Sequence, residues 1–298
     1  MTSSLTKNDK EILTLIGEYQ ALTIKQLSIL SRRSAQVVRR RIRSLTKEEL
    51  ITSKMHGYER DRGRPEDLFL LTKKGMAFLA DEGIPSSHAP DKAKYPLPSN
   101  HLLLVNWFRI HLLQIERSIP QLSVKYLAPN SYSQAGNKSD SSSASPTNSK
   151  PKKNAEFIPD GIFSITNMEP EKKALLFFLE VDMGTETIVS QDWNSKDIRQ
   201  KILNYQTLFQ NGNYKRYESV FNSTFNGFRL LFLVNSPARL TSLCGLVREM
   251  RPSDFIWLVD QGRMFSQGLS ANIWARGGRD EDPPQSILGP GLACELPL

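Results

Sequence analysis

Apolar residues recur along this chain with two periods, and the change of period divides it. In the first eighty or so residues the period is helical. Ile12, Leu15, Ile16 and Tyr19 share one face behind Asn8 and Glu11, which read as a capping box. Thr23 and Gln26 repeat the box before a short helix carrying Leu27 and Leu30. After Ser34, the positions Val38, Ile42 and Leu45 make a narrow stripe on a third helix. Two short extended runs, 50–56 and 67–72, flank the polar stretch GYERDRGRPE, and a fourth helix over 73–80 ends near Gly83. Residues 84–100, IPSSHAPDKAKYPLPSN, hold four prolines and no periodicity, so a linker is expected there.

Beyond the linker the pattern alternates helix with buried strand. An apolar helix over 101–116 stops before Pro120. Strands are expected at 122–127, 157–165, 175–182, 228–234 and 255–259, with helices at 196–210 and 239–250. The run LLFFLEVD is apolar on both faces, as suits a central strand covered on both sides. Residues 129–154 are Ser, Asn, Lys and Pro with few apolar positions, so a disordered insertion is expected. The turn-rich end, 277–298, reads as a flexible tail. The expected fold class is α/β in the α+β sense, with a second domain over 101–276 in the order αβββαβ.

Charge changes the picture of the first domain. The stretch 32–65 carries eleven Lys or Arg and four Asp or Glu, a net +7 within a chain of net +8. Charge that concentrated fits a polyanion partner. On the third helix Gln36, Arg39, Arg40, Arg43 and Lys47 lie away from the apolar stripe, and Arg33 precedes it. Guanidinium groups match phosphate oxygens and the guanine edge bidentately. Three helices with a basic third, two short strands and a fourth helix resemble a winged helix-turn-helix over 6–83, with duplex DNA as the expected partner. Arg62 and Arg64, in a thin Gly- and Pro-containing wing, are candidates for the minor groove or for phosphate. A homodimer on a palindromic site is compatible with this class, although no coiled-coil seam is visible.

Carboxylates dominate the second domain. Glu180 and Asp182 lie two apart at the end of a strand and share a face. Asp160 belongs to the neighbouring strand, and together the three are an expected oxygen-ligand set for Mg²⁺. Lys201, on the next helix, leans toward the same strand ends and completes the candidate catalytic group with Asp160, Glu180 and Asp182. Such a group would suit phosphodiester hydrolysis. The competing reading is structural: Asp182 bonding local amides, and Glu180 in an ion pair with Lys201 or Arg199. His101 and His111 sit on the apolar helix and read as core or interface positions.

The spacing P-D, nineteen residues, then E-x-D resembles the PD-(D/E)xK nuclease fold. That resemblance implies acidic positions at Asp160 and Glu180 and a lysine where this chain has Asp182, so cleavage is in question, with Lys201 as a displaced substitute. A second resemblance covers both halves, roughly 10–259. HLLLVNWFRIHL, PDGIFSI, FFLEVDMGTET and KILNYQTLF are similar to the replication-relaxation family. It implies an accessory, DNA-binding role on plasmids or other mobile elements, with plasmid replication or relaxation proteins as possible partners. A transcription regulator is a further alternative.

Two cysteines, Cys244 and Cys294, make neither a metal-ligand pair nor a disulfide framework. The polar opening MTSSLTKNDKE has no secretory h-region, and no apolar run reaches about 18 residues. No membrane association and a cytoplasmic location are therefore expected.

Overall fold

The computed structural model describes residues 5–55, 67–84, 100–127, 158–169, 172–190 and 197–298. The wing, the linker between 85 and 99 and the insertion at 129–154 lie outside the described residues. The chain divides into two compact units, Met1–Ile110 and His111–Leu298.

The first unit follows the sequence pattern closely. It holds α1 (Lys7–Tyr19), α2 (Ile24–Ser31), α3 (Ala35–Lys47), β1 (Ile51–Met55), β2 (Asp67–Leu71) and α4 (Lys73–Asp81). Strands β1 and β2 pair antiparallel, and Leu22 bridges to Phe69 as a third extended position. Ile12, Leu13, Ile16, Leu27, Val38, Ile42 and Leu45 are buried and form the small core. The expected Thr23–Gln26 box caps α2, and Ser34 caps α3. The box of α1 is Thr6 with Asp9, not Asn8 with Glu11. The helix begins two residues earlier than the Asn8 cap would place it, because the Asp9 carboxylate accepts from the Thr6 amide at 2.9 Å. Gly75 is required where α4 approaches the turn between α3 and β1: a Cβ there would lie 2.1 Å from the Leu50 carbonyl oxygen.

Helix α5 (Asn100–Ser118) starts within this unit. Asn106 Nδ2 donates to the carbonyls of Tyr19 and Ala21 at 3.0 and 2.8 Å, satisfying backbone groups where α1 ends. The Arg109 guanidinium lies 3.8 Å from the centre of the Tyr19 ring. The first compact unit therefore takes in the opening turns of α5, which the sequence pattern assigned to the second domain.

The second unit contains β3 (Leu122–Leu127), β4 (Gly161–Asn167), β5 (Lys173–Asp182), α6 (Ile198–Gln210), a 3₁₀ turn at Asn213–Tyr217, α7 (Glu218–Phe221), β6 (Phe228–Val234), α8 (Pro237–Glu249), β7 (Ile256–Asp260), α9 (Gln261–Gln267) and β8 (Ala275–Arg276). The expected helix, three strands, helix, strand order is present. The sheet runs β3-β4-β5-β6-β7-β8, with β5-β6 and β6-β7 parallel and the remaining pairs antiparallel. One face packs Ile162, Phe178, Leu230 and Phe232 against Ile202 and Tyr205 of α6 and Leu243 of α8. On the other, Phe163 and Phe177 stack with ring centres 4.8 Å apart. Both faces of β5 are thus buried, as its apolar run implies.

The segment 277–298 is packed, contrary to the expectation of a flexible tail. Gln285 exchanges two backbone hydrogen bonds with Trp274, at 3.0 and 2.9 Å, and Ile287 is fully buried. The Leu296 amide donates to the Gln267 carbonyl at 2.8 Å, against Gly268 at φ +85°, where a Cβ would lie 2.4 Å from the Leu296 oxygen. A few anchoring contacts hold a stretch whose Gly and Pro content carries no periodic signal.

Candidate functional site

The first candidate surface is the outer face of α3. The stripe Val38, Ile42, Leu45 docks this helix on the core. At about 100° per residue, Gln36, Arg40, Arg43 and Lys47 fall on the opposite side, with Arg39 at its flank. All five are exposed. Among the described residues, no acid of the protein pairs with Arg39, Arg40, Arg43 or Lys47. The face thus holds five donors of a partner-binding kind on one rigid element, four of them cationic. Arg62 and Arg64 lie outside the described residues.

Two other basic residues of this stretch turn inward. Arg33 places Nη1 2.8 Å from Glu11 Oε2 and donates from Nη2 to Asn8 Oδ1 at 2.8 Å. The expectation of Arg33 as a DNA contact therefore needs correction: the residue ties the α2–α3 turn to α1. Arg41, which the pattern did not single out, grips the Asp9 carboxylate through Nε at 2.7 Å and through Nη2. Burial of Asp9 raises its pKa, but the Arg41 and Thr6 hydrogen bonds outweigh this and hold the carboxyl below the usual range. The position of Arg41 on α3, about 60° from the apolar stripe, was the available signal. Asn8 and Glu11, first read as a cap, are the Arg33 partners instead.

The second candidate site lies at the ends of β4 and β5. Glu180 and Asp182 do share a face, toward α6 and α8, and both are almost fully buried. Each meets a different partner. Glu180 accepts from the Tyr205 hydroxyl at 2.6 Å and from Lys201 Nζ at 3.2 Å. Lys201 also reaches Glu186 Oε1 at 2.8 Å. Asp182 accepts from Arg239 Nε at 2.5 Å and from the Gly184 amide at 2.8 Å. Asp160 accepts from the Val181 amide at 2.8 Å, its carboxylate standing in for a ladder carbonyl where β4 begins.

Electrostatics follow from this geometry. Burial, then the charge of Asp160, pushes the Glu180 pKa up to about 7, against the pull of Lys201 and Tyr205. Burial also raises the Tyr205 phenol, and the adjacent Glu180 raises it further. Burial alone would lower Lys201, but the Glu180 charge and the Glu186 bond carry it above its ordinary value. Lys201 is the cation that works against the Asp160 charge at Glu180.

Asp160, Glu180, Asp182 and Lys201 are thus only partly brought together. Asp160, Glu180 and Lys201 form one group, and Asp182 belongs to Arg239. Among the described residues, no three His, Cys, Asp or Glu side chains form a group able to hold a metal ion. The expected Mg²⁺ ligand set of Asp160, Glu180 and Asp182 does not fit, because a guanidinium and a backbone amide already take the Asp182 oxygens. Sequence reasoning missed Arg239 and Glu186. Nothing periodic marks Arg239, which comes from α8, 57 positions after Asp182.

The fold defines a class: a winged-helix unit followed by a unit built on a mixed, α-covered sheet. The family model described as replication-relaxation matches residues 13–224, and the chain belongs to that family. Among solved structures it is similar to the adhesin competence repressor AdcR of Streptococcus pyogenes, at 22% identity and a TM-score of 0.24, over 28% of this chain and 57% of that one. It is also similar to a variant of Lactococcus lactis ZitR, at 23% identity and a TM-score of 0.24, over 28% of this chain and 53% of that one. The chain spans little more than half the length of these two proteins. No curated protein matches it. Among the described residues, no helix is long and apolar enough to cross a membrane.

Proposed function

We propose that this protein is a cytoplasmic DNA-binding accessory factor of a plasmid or another mobile element, acting in replication or relaxation of its DNA. The winged-helix unit holds duplex DNA on α3, and the second unit is a nuclease-like scaffold that offers a surface to plasmid replication or relaxation proteins. The observation that carries the reading is the outer face of α3. It bears Arg39, Arg40, Arg43 and Lys47 exposed, while Arg33 and Arg41 of the same stretch are tied to α1. Uncommitted cations on a docked helix have phosphates as their natural partner.

The scaffold reading of the second unit rests on its satisfied charges. Glu180 is held by Tyr205 and Lys201, and Asp182 by Arg239. One observation favours a competing reading, a nicking endonuclease: Lys201 stands 3.2 Å from Glu180, whose carboxyl also feels the charge of Asp160. A single experiment separates the two. Supercoiled plasmid is incubated with full-length protein in Mg²⁺ or Mn²⁺, and both retardation and nicking are scored. Retardation without nicking is expected. Nicking that Glu180→Gln and Lys201→Met both abolish would replace the scaffold reading with the nuclease.

A further inference from the structure

The exposed stripe of α3 is chemically uneven, and the unevenness assigns different tasks to its two halves. Counting 100° per residue from Val38, Gln36, Arg40, Arg43 and Lys47 lie within about 60° of one another, opposite the buried side chains. The rotation of the helix is fixed from the inside. Arg41 is locked to Asp9 and Thr6, and Arg33, just ahead of the helix, to Glu11 and Asn8. The stripe cannot roll away without breaking these contacts. Its first member is the neutral Gln36, in the first turn after the Ser34 cap. A surface needing only phosphate attraction gains nothing from an amide there.

A carboxamide offers one donor and one acceptor side by side, which match N7 and the N6 amino group of adenine. A guanidinium matches O6 and N7 of guanine. In a helix-turn-helix the N-terminal part of the third helix meets the base edges, and later turns run out toward the backbone. Gln36 and Arg40 are one turn apart, about 6 Å along the axis, close to the rise of two base pairs at about 3.4 Å each.

Resting on the DNA-binding reading above, we infer that Gln36 and Arg40 read the sequence, and that Arg43 and Lys47 hold the backbone. Gln36 takes an adenine and Arg40 a guanine about two base pairs away, both on the major-groove edge. Arg43 and Lys47 contribute affinity that is the same on every sequence.

The test is selection of duplexes from a randomised library by the full-length protein, followed by titration of the selected site and its single-base variants. The wild type is expected to enrich an A·T and a G·C pair about two positions apart. Gln36→Ala should remove the preference at the first position alone, a discrimination of about 5- to 150-fold. Arg40→Lys keeps the charge but loses the planar fork, so it should bind with nearly the same salt dependence while losing the preference at the second position. Arg43→Ala and Lys47→Ala should leave the selected motif unchanged and lower affinity on all sequences alike. If Gln36→Ala and Arg40→Lys select the wild-type motif unchanged, the division of labour is wrong while DNA binding stands. If the wild type retains no duplex at low salt, the DNA-binding reading fails and this inference with it.

Discussion

The outer face of α3 and the carboxylate site beside β5 use the same kinds of side chain to opposite ends. On α3 the charges point outward, and Arg39, Arg40, Arg43 and Lys47 meet no acid of the protein among the described residues. Beside β5 they point inward: Lys201 bridges Glu180 and Glu186, and Arg239 holds Asp182. Charge committed to internal partners steadies the fold. Charge left in solvent is available to a partner. Arg41 and Arg33 put the committed use into the same stretch as the solvent-facing cations, since they are its only basic side chains, among the described residues, that pair with acids of α1.

The largest effect expected from this contrast is at Arg239. Arg239→Met leaves the buried Asp182 carboxylate without its guanidinium, a loss of about 3–5 kcal/mol of stability, measured as a lower urea midpoint with an unchanged slope. The same substitution at Arg43 should cost less than about 0.5 kcal/mol. Equal losses at the two positions would erase the distinction between committed and available charge.

The two units should also respond oppositely to pH. The Glu180 pKa is raised to about 7 from 4.5, so the folded state takes up the proton more readily than the unfolded chain. Its contribution is full below about 4.5 and disappears as pH rises through about 7, on the order of 3 kcal/mol across the window. Asp9 is shifted downward, so its contribution is present above 3.8 and is lost as pH falls through the lowered value. Glu180→Gln should flatten stability between pH 4.5 and 7 and leave the acid limb intact. A profile unchanged by that substitution would contradict the coupling of Glu180 to its surroundings. A smaller effect is expected at Arg41. Arg41→Ala should cost about 2 kcal/mol, the scale of hydrogen bonds to a buried charge, and Asp9→Asn combined with it should add little more. Fully additive losses would show that the two side chains do not act as a pair.

Much of the fold was legible because it is periodic. The stripe Val38, Ile42, Leu45 located α3, and the two-sided apolar run LLFFLEVD marked a central strand. The exposed face of α3 followed from the same periodicity. Pairings between distant elements were not legible. That Asp182 meets Arg239, or that Asp9 meets Arg41, depends on how helices dock, and neither spacing nor composition encodes it. Strand and helix geometry puts Asp160, Glu180 and Lys201 near the same strand ends, and Lys201 does meet Glu180 there. Asp182 was wrongly joined to them because sharing a face does not fix which partner a side chain meets. The packed end at 277–298 was missed since its anchors, Gln285 and Ile287, are isolated among turn residues.

The most direct test of the central claim is the salt dependence of duplex binding. Affinity of the full-length protein and of Arg40→Ala combined with Arg43→Ala is measured across a salt series, and log K is plotted against log salt. Each phosphate contact removed lowers the slope by about 0.9, so the double variant should bind more weakly and with a slope shallower by one to two such steps. An unchanged slope and affinity would take the α3 face out of the DNA interface.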